Sequence, residues 1–267
     1  MADLSGHRAL ITGGSSGIGA AMARVLAARG CALVLAARRR EALTEVAATC
    51  VGARVDVVTC DLGVRGGAAT LWEAATAQSH VDILINNAGF GTFREFTASE
   101  WGRDAELLEV NITSLVDLSK RFVAARVGQR GYLLNIASIA AYQSVPNMAT
   151  YAASKAFVRN FTEALHDELR GTELSATCVC PGGTRTAFHR TAGAGNYSWL
   201  ANATMMTADE VASVAVRAML ARKRTVIPGL ANKLSCFGVR WVPRRLASWL
   251  TRRVLGKPKL ALPPRRV

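Results

Sequence analysis

Long apolar runs, a secretory leader and metal-ligand spacings are all missing from this 267-residue chain. No stretch of eighteen or more apolar residues occurs, so no transmembrane helix is expected. The N-terminal MADLSGHRALITGG has no basic segment leading into a long apolar one, and no signal peptide is expected. The six cysteines (31, 50, 60, 178, 180 and 236) form no C-x-x-C pair and no zinc spacing. They read as small core residues in a reducing compartment, and the expected location is cytoplasmic. His7, His80, His166 and His189 form no cluster either, so no metal is expected. Internal repeats and Pro/Ser-rich linkers are absent. The last absence is acid. Residues 211–267 hold 14 Lys/Arg and no Asp or Glu, whereas residues 1–210 balance 19 against 19. The net charge of +14 therefore belongs to the tail. No platform of stacking aromatics accompanies it, which argues against nucleic acid as the partner.

What is present is a regular alternation. Nearly continuous apolar β-type runs lie at 8–12, 32–37, 54–60, 82–86, 132–137, 175–180 and 225–228. Such runs suit strands buried on both faces. Helical patterns fall between them near 17–29, 40–49, 66–78, 99–127, 150–170 and 207–221. The alternation predicts an α/β fold: a Rossmann-type, doubly wound parallel sheet of about seven strands between two helical layers. One domain over 1–228 is expected, followed by a basic amphipathic extension over 229–267.

The segment ALITGGSSGIGAAMARVLAARG runs from a strand through a glycine-rich turn into a helix. Gly13 permits the tight turn, and Gly17 and Gly19 allow backbone and helix to approach a pyrophosphate at the helix N-terminus. Its spacing, T-G-x-x-x-G-I-G, resembles that of the short-chain dehydrogenase/reductase superfamily. Further motifs follow in that family's order: CDL at 60–62, NNAG at 86–89, VNITS at 110–114, NIAS at 135–138, YAASK at 151–155 and PGGTRT at 181–186. The similarity spans roughly residues 5–228, and the chain resembles the single-domain, NADP(H)-dependent, ketoacyl-reductase-like branch. It implies cofactor contacts from Gly13, Ser15, Ser16, Gly17, Ile18, Gly19, Asp61, Leu62, Asn87, Ala88, Gly89, Tyr151, Lys155, Pro181, Gly182, Thr184 and Thr186. It also implies a catalytic set of Asn111, Ser138, Tyr151 and Lys155.

The second strand ends LVLAARRR, with Ala37 where a ribose-binding acid would stand and Arg38 after it. A carboxylate would repel a 2′-phosphate and a guanidinium can hold one, so NADP(H) is the expected cofactor, with Ser15 as an additional donor. Tyr151 and Lys155 are four residues apart, hence on one helix face, with small Ala152 and Ala153 between them. A neighbouring ammonium lowers a phenol's pKa from about 10 toward the range useful for acid–base work. The resemblance implies that Tyr151 exchanges the proton, Ser138 orients the carbonyl oxygen and Lys155 binds the nicotinamide ribose. Asn111 would hold a relay water.

A long irregular segment at 185–206 offers Phe188, Tyr197, Trp199, Leu200, Met205 and Met206 as an apolar lining, and in the family this region closes over substrate. A hydrophobic ketone, such as a 3-oxoacyl thioester or a long-chain lipid ketone, is the expected substrate. Oxidation of a hydroxysteroid or other alcohol is an alternative the same residues would serve. A catalytically silent NADP sensor or scaffold is a third reading, disfavoured by the intact Ser138, Tyr151 and Lys155. In the tail, Val242, Leu246, Trp249, Leu250 and Val254 recur at helical spacing beside Arg244, Arg245, Arg252 and Arg253, with Pro243 at the start. That pattern leaves three roles open: an anionic membrane surface at the inner face, an acidic acyl carrier protein, or packing on the body or another subunit. The family resemblance further implies a homodimer or homotetramer built through the helices near 99–127 and 150–170.

Overall fold

Seven strands form the centre of the molecule, and alternate residues along them feed two separate cores. The computed structural model describes residues 3–185 and 205–255. The strands are β1 (Arg8–Thr12), β2 (Ala32–Ala37), β3 (Val55–Thr59), β4 (Ile83–Asn86), β5 (Gly131–Ile136), β6 (Leu174–Val179) and β7 (Thr225–Val226). They lie in the order β3-β2-β1-β4-β5-β6-β7, and every neighbouring pair is parallel. Ile11, Leu33, Leu35, Ile83 and Ile85 point to one face. Leu10, Val34, Leu84 and Leu133 point to the other. Two-sided burial is why these strands are apolar at every position rather than at alternate ones.

Helices α1 (Gly17–Ala27), α2 (Arg40–Thr49) and α3 (Gly67–Thr76) follow the first three strands. Next come α4 (Trp101–Leu108) and α5 (Ser114–Ala125), then α6 (Ala149–Glu168) and α7 (Ala208–Leu220). Met22 and Leu26 of α1 share the first core with Ala212 and Val216 of α7. Leu71 of α3 and Leu118 and Phe122 of α5 fill the second. This is the expected three-layer, doubly wound architecture.

Three details differ from the sequence reading. The single helix expected at 99–127 is interrupted by a π-helical turn, Glu109–Thr113, centred on buried Asn111. A π-turn inserts into a helix where side chains demand it, and Asn111 is drawn toward the segment after β4, as described below. The last strand has two residues rather than four. The tail holds α8 (Leu230–Gly238) and, after a 3₁₀ turn, α9 (Arg244–Leu255); the reading had placed only the second.

The two ends of the sheet do different work. At the N-terminal end of β4, Asp82 Oδ2 accepts from the Arg8 backbone N–H at 2.9 Å, and Oδ1 pairs with the nearly buried Arg126 at 2.9 Å. At the C-terminal end, Asn86 Nδ2 donates to Asn135 Oδ1 at 2.9 Å and to Ser119 Oγ at 3.1 Å. Asn135 in turn donates to Thr162 Oγ1 at 2.9 Å. These bonds tie β4, β5, α5 and α6 together beneath the crevice where strand order reverses between β1 and β4. Doubly wound folds bind ligands at such a crevice.

Candidate active site

The cavity at this crevice measures about 940 Å³, near the upper end for small-molecule sites. Gly13 (φ +63°) and Gly17 (φ +55°) occupy left-handed backbone conformations that only glycine adopts cheaply. Thr12 Oγ1 accepts from the backbone N–H groups of Asn87 and Ala88, each at 3.0 Å. Asn87 Nδ2 donates to the carbonyls of Thr12 at 3.0 Å and Gly13 at 3.2 Å. The glycine turn is thereby laced to the end of β4. A Cβ on Gly19 would strike the Gly13 carbonyl and the Asn87 amide, so α1 packs directly beneath the turn. Gly19 acts through this packing and stands back from the cavity, whereas Gly13, Ser15, Ser16, Gly17 and Ile18 line it. The first turn of α1 carries no acid and no side-chain cap. Its free N–H groups and positive dipole end suit a phosphate group.

Further along the crevice, Asp61 and Leu62 line a pocket beside Ala37 and Arg38. Asp61 Oδ1 accepts from the Gly63 N–H at 2.8 Å. Arg38, with 61% of its side chain exposed, pairs with Glu106 Oε1 of α4 at 3.0 Å. Glu106 also pairs with Arg103. Glu106 lines the cavity and was not identified from sequence; its pairing depends on where α4 comes to rest.

Ser138 follows β5 and caps a short 3₁₀ turn, its Oγ accepting from the Ala140 N–H at 3.1 Å. Tyr151 and Lys155 project from the first turns of α6 and are both buried along the cavity wall. Lys155 Nζ lies 5.9 Å from the Tyr151 ring centroid and donates to the Ile136 carbonyl at 2.9 Å. Burial pushes the lysine down to about 8, with the Cys178 and Cys180 thiols opposing the shift.

Asn111 sits behind this wall rather than in the cavity. Its Oδ1 accepts from Phe90 N–H at 3.2 Å, and its Nδ2 donates to Phe90 O and to Ser154 Oγ, both at 3.0 Å. Ser154 Oγ donates to the Tyr151 carbonyl at 2.7 Å. Both amide donors are thus committed to protein partners, and Asn111 joins the segment after β4 to the helix carrying Tyr151 and Lys155. Gly89 lines the cavity in front of it. A Cβ there would lie 2.9 Å from Asn111 Oδ1 and 3.2 Å from Lys155 Nζ, so the motif glycine leaves room for both.

The remaining wall comes from the segment after β6 and from the tail. Pro181, Gly182, Thr184 and Met205 line the cavity. Met206, bonded through its backbone to Gly183 and Arg185, does not. Thr186, Phe188, Tyr197, Trp199 and Leu200 lie outside the described residues, as does His189. A Cβ on Gly182 would collide with Asn232 of α8, whose Nδ2 donates to the Pro228 carbonyl at 2.9 Å. Val242, Ala247, Leu250 and Thr251 close the far side. Gln143 Nε2 donates to Thr251 Oγ1 at 2.8 Å, and the hydroxyls of Ser144 and Ser248 share a hydrogen bond. The tail therefore meets the body through the small residues Ala247, Ser248 and Thr251, which permit close approach of the helix, and through two members of the apolar stripe read in the sequence, Val242 and Leu250.

A parallel sheet with its glycine turn at the switch point and a buried Tyr–Lys pair on the adjoining wall define a Rossmann-type oxidoreductase. Residues 7–197 match the short chain dehydrogenase family, and the chain belongs to the short-chain dehydrogenase/reductase superfamily. It is 35% identical over 198 residues to a Streptomyces virginiae protein assigned as the monensin polyketide synthase ketoacyl reductase, covering 70% of this chain and 74% of that one. A solved short-chain dehydrogenase from Sphingobium yanoikuyae, in complex with NADPH, superimposes with a TM-score of 0.76 at 31% identity, covering 88% of this chain and 94% of that one. The structure of a 7β-hydroxysteroid dehydrogenase gives a TM-score of 0.82 at 25% identity, covering 93% and 97%.

Proposed function

We propose that this oxidoreductase binds NADP(H) and reduces the ketone of a hydrophobic substrate. The observation that carries the reading is the shared wall of Tyr151, Lys155 and Ser138 along a cavity that continues to the glycine turn. The residues present fit the dinucleotide. Gly13, at positive φ, packs its turn directly against Asn87 and Ala88, Gly89 leaves room for Asn111 and Lys155, and the first turn of α1, free of acid and side-chain cap, suits a phosphate. Arg38 lines the cavity beside Ala37, which supplies no acid, and its guanidinium would hold the 2′-phosphate. When bound, NADPH supplies the hydride for the carbonyl carbon. Tyr151 Oη gives its proton to the carbonyl oxygen, and Ser138 Oγ donates a hydrogen bond to the same atom. Ser138 Oγ accepts from the Ala140 N–H, which leaves its own O–H available to donate. Lys155 holds positive charge beside the phenol as the proton leaves it. Asn111 acts as a clamp that fixes the Tyr151 helix against the segment after β4.

The apolar share of the wall (Val145, Met148, Met205, Val242 and Leu250) supports a long-chain or 3-oxoacyl ketone rather than a small polar acid. The likeness to the ketoacyl reductase supports the same reading. Hydroxysteroid oxidation is the second reading, favoured by the extent of the 7β-hydroxysteroid dehydrogenase superposition. The test is cofactor consumption with NADPH against 3-oxoacyl thioesters of increasing length, and with NADP⁺ against hydroxysteroids. Turnover that rises with acyl length supports the first reading; turnover confined to the sterols selects the second. For assembly, we infer a homo-oligomer through α4, α5 and α6, supported by exposed Trp101 and by Phe157, which stacks on Phe161 at 5.9 Å.

A further inference from the structure

Helix α8 turns one face, with Ala231, Asn232 and Ser235, into the cavity, which Val239 of the following turn also lines. The other carries Leu230, Leu234, Phe237 and, in the following 3₁₀ turn, Trp241. These four are spaced at four, three and four residues, a continuous helical stripe. They are 72%, 62%, 58% and 79% exposed. Leu246 and Trp249 of α9 are also exposed. The charged residues carried by α8, the turn and α9 are all basic (Lys233, Arg240, Arg244, Arg245, Arg252 and Arg253), and the sequence from 211 onward holds no acid at all. Arg253 lies over the Trp249 ring at 4.3 Å.

From these observations we infer that α8 and α9 form a docking surface for an anionic lipid bilayer. An exposed apolar stripe on a soluble surface marks an interaction site. Tryptophans and charged residues that are all cationic match the interface of an acidic membrane, where rings sit at headgroup depth and arginines reach phosphate. A protein partner of ordinary composition would meet the arginines with both charge signs. A second copy of this chain would bring like charge against like charge. Among the described residues no helix is long and apolar enough to cross a membrane, so the surface lies on the bilayer. The consequence for substrate is direct: the helices touching lipid also line the cavity, so a lipid ketone would pass from bilayer to cavity along them. That consequence rests on the proposed ketone reductase reading, whereas the docking surface does not.

The test is sedimentation of the full chain with phosphatidylcholine vesicles and with vesicles containing phosphatidylglycerol, at low and high salt. We expect pelleting with the anionic vesicles only, weakened by salt, and quenching of tryptophan emission by brominated lipid chains. Phe237→Ser with Trp241→Ser should lower partitioning about tenfold or more. Arg244→Gln with Arg245→Gln should lower it comparably at low salt and little at high salt. None of these four lines the cavity, so an unchanged NADPH-induced rise in Tm shows that each variant is folded, and ketone reduction measured separately tests the catalytic reading. Wild-type protein that stays in the supernatant overturns the inference. So does equal pelleting of the aromatic variant. A wild-type dimer that the aromatic variant dissociates would assign the stripe to self-association. Binding to an acidic carrier protein without binding to vesicles would assign it to that partner. Either result removes the bilayer.

Discussion

Lys155 offers the most direct link between the geometry and a measurable quantity. It is almost fully buried, donates to the Ile136 carbonyl at 2.9 Å, and burial lowers it from 10.5 to about 8. Between those two values the folded chain binds fewer protons at this site than the unfolded chain does. Its contribution to stability therefore rises with pH from about 8 to about 10.5, and below about 8 the full cost of burying the ammonium is present. At about 1.4 kcal/mol per pH unit the shift corresponds to about 3 kcal/mol as an upper bound. Buried thiols oppose this trend: Cys31 and Cys236 are pushed up to about 12, so their contributions fall as pH climbs past 9. Subtracting a Lys155→Met series cancels the thiols. Urea unfolding of the cofactor-free protein, wild type and variant, at about pH 7.5 and about pH 10 gives the needed difference. The variant should be the more stable protein at the lower pH, and the gap should close by about 2–3 kcal/mol at the higher. Parallel stability profiles would show that Lys155 is hydrated in the fold and would refute the desolvated-lysine argument.

Two other predictions concern charge. Glu106→Gln removes the acid paired with Arg38, the residue proposed to hold the 2′-phosphate. Because the pair is exposed it is worth only about 0.2–1 kcal/mol, so NADPH should bind about 1.4- to 5-fold more tightly with NADH unchanged; calorimetric titration of both dinucleotides checks this, and weaker NADPH binding would mean that Glu106 positions the guanidinium instead. At the opposite end of the sheet, Asp82→Ala strands Arg126 with its charge nearly buried. Loss of about 3–5 kcal/mol in urea unfolding is expected, with the NADPH Kd of the folded protein unchanged.

Strand positions were legible because two-sided burial writes an uninterrupted apolar run, and six of the seven strands fall within about a residue of the runs in the sequence. The glycine turn was legible for a similar reason: positive φ at Gly13 and Gly17 admits few other residues. The π-turn at Asn111 was not, since its cause is a hydrogen bond to Phe90, 21 residues earlier, and helical periodicity continues through it. The cavity wall from the tail was equally hidden. Leu230, Leu234, Phe237 and Trp241 carried a readable helical spacing, but Asn232 meets Gly182 only through tertiary packing. Glu106 and Arg38 illustrate the same limit: the motif locates the arginine, while its partner is set by the resting place of α4.

Tyr151→Phe addresses the central claim with the loss of one oxygen atom. Under NADPH with a hydrophobic ketone that the wild type turns over, kcat should fall about 10²-fold or more. NADPH affinity, measured on the same preparation by fluorescence, should stay within about twofold, because the ring and its packing remain. A variant that reduces the ketone at the wild-type rate would contradict the assignment of Tyr151 as proton donor, and with it the account of the site.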